Sequence, residues 1–219
     1  MAIREIVLPG SYIGERKGRK LINCYTEGEK VYSKVLGILK VSEEEIAVIP
    51  LAGKYVPKVG DRVIGVIDEI EVSGWWVDIN SPYKAFLPLG EALEEFVDLR
   101  KVDLSRFYDI GDVIFCRISK VTKNKIVQVS MKDMIARKLF GGVTIKITPF
   151  KVARVIGKGG SMIELIKNKT KCEIYVGQNG LIWIKGHNKE KAIKAILTIE
   201  REAHTVGLTE KISKMLEGE

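Results

Sequence analysis

The stretch Arg154-Val155-Ile156-Gly157-Lys158-Gly159-Gly160-Ser161-Met162-Ile163 decides how the chain is read, because a Gly-x-x-Gly loop there interrupts two apolar helical turns. Glycines at both ends of such a loop let the backbone come within hydrogen-bonding reach of a phosphate, since no side chain blocks the approach. A helix beginning near Ser161 points its free N–H groups at the same place, and these favour an anion. Lys158, between the glycines, adds a full positive charge. The spacing alone says little in a chain with 21 glycines, so its surroundings carry the reading.

Upstream, Val143-Thr144-Ile145-Lys146-Ile147 alternates like a strand, and Thr148-Pro149 reads as N-cap and first position of a short helix through Val155. Downstream, Met162, Ile163, Leu165 and Ile166 make the apolar stripe of a second helix reaching about Thr170. Residues 173–176 and 181–184 flank Gly177-Gln178-Asn179-Gly180 and read as a hairpin, with Asn-Gly supplying the positive φ of its turn. Asn188 caps a last helix bearing Ala192, Ile196, Ile199 and Ala203 on one face, and Gly207 ends it.

This β-α-α-β-β-α order, with the glycine loop joining consecutive helices, resembles the KH domain of type I topology over residues 141–207. The resemblance implies that Gly157, Lys158, Gly159 and Gly160 clamp the backbone of about four nucleotides. Val152, Val155, Ile156 and Ile163 would then floor a groove for unstacked bases, with Arg154 and Lys167 adding charge at its rim. A glycine turn between two core helices is the alternative reading of the same residues.

Length and charge bound the rest. The 219 residues divide into three expected domains, 1–57, 58–137 and 141–219, making a mainly β multidomain protein with one α/β unit. A hydrophobic fraction of 46% with 29% charged residues suits packed cores. No apolar run reaches the roughly 18 residues a membrane span needs. Charges at Arg4 and Glu5 stand where a signal peptide would need an apolar core, so a cytoplasmic protein is expected. Cys24, Cys116 and Cys172 are far apart and odd in number, and read as buried thiols of a reducing compartment. The formal charge of +8 is uneven: residues 1–140 hold 22 basic against 20 acidic residues, residues 141–219 hold 14 against 8. The positive field is thus concentrated where the glycine loop lies.

Residues 1–57 lack helical periodicity and read as β-rich, with strand signals at 7–8, 30–41 and 45–51. Arg16, Lys17, Arg19 and Lys20 around Gly18 are either a solvated loop or a basic lip beside an RNA path, and Glu43-Glu44-Glu45 reads as a solvated turn. From residue 58 five strand candidates follow, at 62–70, 74–80, 84–87, 112–121 and 125–131, with 90–110 as a partly helical insertion. Their spacing suits a five-stranded OB-type barrel. In the fourth, Ile114, Cys116 and Ile118 should fill the barrel while Phe115, Arg117 and Ser119 face outward, Arg117 near Lys120, Lys123 and Lys125 of the last hairpin.

This unit resembles the S1 RNA-binding domain through Val59-Gly60-Asp61, Gly74-Trp75-Trp76-Val77-Asp78-Ile79, Phe86-Leu87-Pro88 and Ile110-Gly111-Asp112-Val113. The resemblance makes Trp76 a base-stacking aromatic and Arg117, Lys120, Lys123 and Lys125 phosphate contacts. Trp75 points the other way, into the core. Ser73, Pro88 and Thr122 replace family residues, which thins the expected stacking surface.

The whole order resembles the RNA-binding cap subunit of the archaeal exosome, the ribosomal RNA-processing protein 4 family. Pro9-Gly10, Tyr55 to Asp61 and Gly177 to Trp183 carry further family motifs. That resemblance implies a non-catalytic subunit, three copies of which cap a hexameric ring of RNase-PH-like proteins and feed single-stranded RNA to it. The N-terminal domain and part of the S1 face are the expected ring contact. It implies no cofactor and no metal. A transcription elongation factor or another stand-alone S1/KH protein is the alternative, although such factors usually carry two KH units. His187 and His204 have no nearby nucleophile in sequence, and strand-end carboxylates such as Asp61, Asp68, Asp78 and Asp112 read as turn chemistry or, alternatively, as a metal-dependent nuclease site.

Overall fold

The structure, a computed structural model, describes residues 5–51, 53–93, 103–203, 205 and 207–217. Two compact units divide the chain, Met1–Gly53 and Lys54–Glu219.

The first unit is built of short strands. β1 (Ile6–Val7), β2 (Tyr12–Glu15), β3 (Lys20–Ile22), β4 (Cys24–Glu27), β5 (Lys30–Ser33), β6 (Gly37–Val41) and β7 (Glu45–Pro50) form two sheets, ordered β1-β6-β7-β3 and β2-β5-β4. Val7, Cys24, Val31, Ile46 and Val48 are its core. The expected basic loop joins β2 to β3, with Lys17 and Gly18 at positive φ. Its residues are exposed except for half-buried Arg19. Glu45 is paired with Lys40 at 3.2 Å, so one residue of the acidic turn is held by a partner across the strands.

The second unit opens with the barrel. β8 (Arg62–Glu71), β9 (Gly74–Asp78), β10 (Ala85–Pro88), β11 (Val113–Val121) and β12 (Val127–Ser130) follow the five expected strands, and β12 closes the barrel by pairing with both β10 and β11. Register shifts in β8 and β11 mark bulges that bend these strands around the barrel. Within the insertion, α1 (Leu89–Ala92) and a 3-10 turn at Leu104–Arg106 are helical; residues 94–102 lie outside the described residues. Tyr55 packs in the barrel core and donates its hydroxyl to Asp61 at 2.6 Å, so the chain belongs to the barrel from that residue on. A sixth strand, β13 (Arg137–Leu139), pairs with β11 and carries the barrel sheet past residue 137, where the sequence suggested the domain would end.

The KH unit follows the expected order: β14 (Val143–Lys146), α2 (Val152–Ile156), α3 (Ser161–Thr170), β15 (Glu173–Val176), β16 (Leu181–Lys185) and α4 (Lys189–Arg201), with the sheet ordered β14-β16-β15. Three local expectations are corrected. Thr148 precedes the helical turn at Pro149 but gives its hydroxyl to Glu200 at 2.8 Å instead of capping. Asn188 stands at the N-cap position of α4, yet its amide donates to the Thr170 carbonyl at 3.2 Å. Gly207 does not close the fold but precedes a further helix, α5 (Leu208–Glu217), whose Leu208 and Ile212 are buried in the KH core.

Barrel and KH unit are joined through an apolar seam. Ile64, Phe115, Leu139 and Trp183 are buried together, with Tyr175 against them. Phe115 does face out of the barrel, as its alternation requires, but it is only 5% exposed because the KH sheet covers it.

Candidate nucleic-acid interface

At the end of α2 the chain enters Gly157 at φ 76° and ψ 173°, passes Gly159 at φ 62° and Gly160 at φ 87°, and resumes helix at Ser161. A side chain at Gly157 would bring its Cβ within 2.7 Å of Met162 N, so the first loop position admits only glycine. Lys158 and Gly159 are exposed at the tip. No side chain caps α3, which leaves its first-turn amides directed out of the helix end. Glu164, in that first turn, complements the positive helix end and is also a negative charge that an arriving phosphate would meet.

Not every expected groove residue lines the groove. Val155 is fully buried and Val152 is 3% exposed, both in the KH core. They support the groove from beneath, since three residues along a helix return a side chain to nearly the same face. Arg154 points elsewhere, donating to the Thr205 carbonyl at 2.9 Å. Ile156 does line it, joined by Val176 from β15, while Ile163 at 9% exposure and Ile174 at 1% lie at its bottom.

The groove is one side of a cleft of about 770 Å³ between the KH unit and the barrel. Lys167 stands on the KH side; Arg62, Arg117 and Arg137 stand on the barrel side. Arg62 grips Asp133 with two hydrogen bonds of 3.1 and 3.2 Å. That guanidinium holds the Asp133 carboxyl below the usual carboxylate range, with Arg117 adding to the effect. Arg137 lies over the Tyr175 ring, 5.5 Å from its centroid. Arg117 therefore belongs to this cleft, away from the last barrel hairpin where the sequence suggested it would stand.

A second depression, about 310 Å³, lies on the barrel. Trp76 forms part of it, half-buried, tilted against Phe86 at 5.0 Å and donating its indole N–H to Glu71 at 2.7 Å. Tyr83, with Lys125 above its ring at 6.0 Å, adds a second aromatic wall. Lys84 at its edge is ion-paired with Asp68. Tyr83 lines the depression beside Trp76, and Phe86 supports Trp76 from the side. Their signal was present as two aromatics, one just before the third strand and one inside it, but their odd spacing does not by itself place them on one face. Lys120 and Lys123 are exposed outside the depression, and Trp75 is fully buried, its indole donating to the Tyr108 carbonyl at 2.9 Å.

His187 is exposed; His204 lies outside the described residues. Among the described residues no three His, Cys, Asp or Glu side chains gather as metal ligands, and no helix is long and apolar enough to cross a membrane. All three cysteines are buried free thiols. Burial pushes the Cys116 thiol up to about 12, which keeps it protonated and inert.

An OB barrel carrying a half-exposed aromatic cluster, joined to a KH unit with an open glycine loop, defines an S1–KH RNA-binding protein. Family models agree segment by segment: the Exosome RNA binding protein RRP4 N-terminal domain over residues 4–52, the RRP4 S1 domain over 54–120 and the KH domain over 142–190. The chain is 45% identical over 218 residues to the exosome complex component Rrp4 of Pyrococcus furiosus, covering 97% of this chain and 83% of that protein. It is 42% identical over 218 residues to that of Thermococcus kodakarensis, covering 97% and 85%. A crystal structure described as an exosome complex RNA-binding protein superposes with a TM-score of 0.69 at 34% identity, covering 75% of this chain and 96% of that one. The chain belongs to the Rrp4 family.

Proposed function

We propose that this chain is the RNA-binding cap subunit of an exosome, recruiting single-stranded RNA and threading it to RNase-PH-like ring subunits for 3′-to-5′ degradation or processing. The observation that carries the reading is the open Gly157–Gly160 loop, with Lys158 at its tip, in a chain of which 97% aligns with an Rrp4 protein. The loop contacts phosphates and Ile156 and Ile163 receive bases, while Trp76, Tyr83, Phe86 and Lys125 form a second, sequence-tolerant station on the barrel. Lys120 and Lys123 act at long range, as part of the positive field around that station. Three copies sit on one ring in the cytoplasm, and the chain binds without catalysing.

Two measurements test this. The tagged chain, recovered from its own cells at native mass, should arrive in a complex of several subunits that includes RNase-PH-like proteins; RNA polymerase in their place, or a monomer carrying RNA, removes the exosome from the account. Lys158→Asp with Gly159→Asp should lower affinity for single-stranded RNA and flatten its salt dependence by about 0.7 in slope for each phosphate that the loop no longer holds. Unchanged binding by the double variant rules out the glycine loop as the RNA contact. The variant should stay folded: a Cβ at Gly159 meets nothing within 4 Å, and Asp tolerates a left-handed backbone better than most residues.

A further inference from the structure

Of the three barrel arginines of the cleft, Arg62 is held in an ion pair by Asp133, while Arg117 and Arg137 form none among the described residues. Arg62 and Arg117 are direct cross-strand partners between β8 and β11, and Arg137 pairs with Phe115 on the other edge of β11. Like charges directly opposite one another destabilise a sheet, so this pairing costs the free protein stability. Asp133 offsets the Arg62 charge through its two bonds and acts on Arg117 only at longer range. Among the described residues Arg117 and Lys167 form no ion pair, and Arg137 contacts only the face of Tyr175. The floor between them is apolar.

Resting on the KH loop reading, we propose that the barrel supplies the second wall of the RNA groove: Arg117 and Arg137 hold phosphates of a single strand whose bases lie on the KH floor. An acceptor-rich, strongly charged backbone matches the guanidinium forks, and unpaired bases match an apolar floor with an aromatic ring. Tyr175 is fixed for stacking by Phe115 at 5.1 Å on the barrel side and Trp183 at 5.9 Å on its own sheet. The Arg137 guanidinium already occupies the ring face, the kind of contact that a base replaces in single-strand binding. A duplex keeps its bases stacked inside and offers no face to such a floor.

The test uses the full chain and a labelled single-stranded oligouridylate over a salt series. Arg117→Glu with Arg137→Glu should weaken binding by at least about tenfold and reduce the slope of log affinity against log salt by about 1.4, for two phosphates. Arg117→Lys with Arg137→Lys should keep the slope and lose part of the affinity, since an ammonium retains charge but not the fork. Should the glutamate pair fail to fold, Arg117→Gln with Arg137→Gln carries the same expectation. Unchanged affinity in the cleft variants, with weakened binding in Lys158→Asp/Gly159→Asp, overturns the second wall and leaves the loop reading standing. Unchanged affinity in all of them removes both. Equal competition by duplex RNA of the same length also overturns the single-strand cleft.

Discussion

Asn179 lies at the tip of a hairpin and is nonetheless wholly buried. Its amide donates to the carbonyls of Ile64 at 2.6 Å and Ile79 at 2.8 Å, and its oxygen accepts from the Ile64 N–H at 3.3 Å. Three barrel backbone groups thus depend on one KH side chain. Only Gly180 of the Asn-Gly pair takes positive φ, at 84°, so the turn rule names the residue but misses its work. Gly177 completes the arrangement, because a Cβ there would lie 2.8 Å from the Ile64 nitrogen. Asn179→Ala should cost about 3 kcal/mol in urea unfolding, since it strands buried donors and acceptors. Gln178→Ala, which removes one exposed bond from the Arg62 N–H at 2.9 Å, should cost less than about 1 kcal/mol. Equal losses in the two variants would contradict this division.

Among the elements, α5 is the one the sequence reading stopped short of. Gly207 was legible as a helix end, yet a glycine before a new amphipathic run punctuates both sides. Leu208, Ile212, Met215 and Leu216 recur at helical spacing, and the first two are nearly inaccessible to solvent. Lys169 of α3 reaches Glu217 at 2.7 Å and holds its carboxyl below the ordinary range, with Ser213 contributing. Ile212→Ala should therefore destabilise the KH unit by about 2–5 kcal/mol, the usual cost of emptying a core site. Guanidinium melts of the full chain would show it, and a change under about 1 kcal/mol would mean that α5 is only loosely docked. β13 escaped for a different reason: three residues carry too little periodicity to announce a strand, and its pairing with β11 is a long-range event.

For the molecule as a whole, the seam between barrel and KH unit matters most. Tertiary contact turns two recognisable domains into one body through Phe115, Leu139, Trp183 and the Asn179 bonds. Gly142 admits the Trp183 indole, since a Cβ there would lie 2.2 Å from the ring. Amide exchange in the full chain should accordingly protect β8 and β16 to similar free energies, and Asn179→Ala should lower both together. Weakened protection in one strand alone would show the two domains opening independently.

Taken alone, the sequence determined the domain order, the glycine loop, the alternation of the barrel strands and the buried places of Trp75 and the cysteines, because each follows from local periodicity or from backbone chemistry within a few residues. It was also enough to name Trp76, Lys158 and Ile156 as candidates that reach the surface. Only the tertiary structure decided that Val155 lies under the groove, that Arg154 turns away to Thr205, and that Arg117 leaves the hairpin cluster to join Arg62, Arg137 and Tyr175. Periodicity tells which face a residue takes on its own element. What covers that face is set by partners far along the chain, and the seam and the cleft exist only where those partners meet.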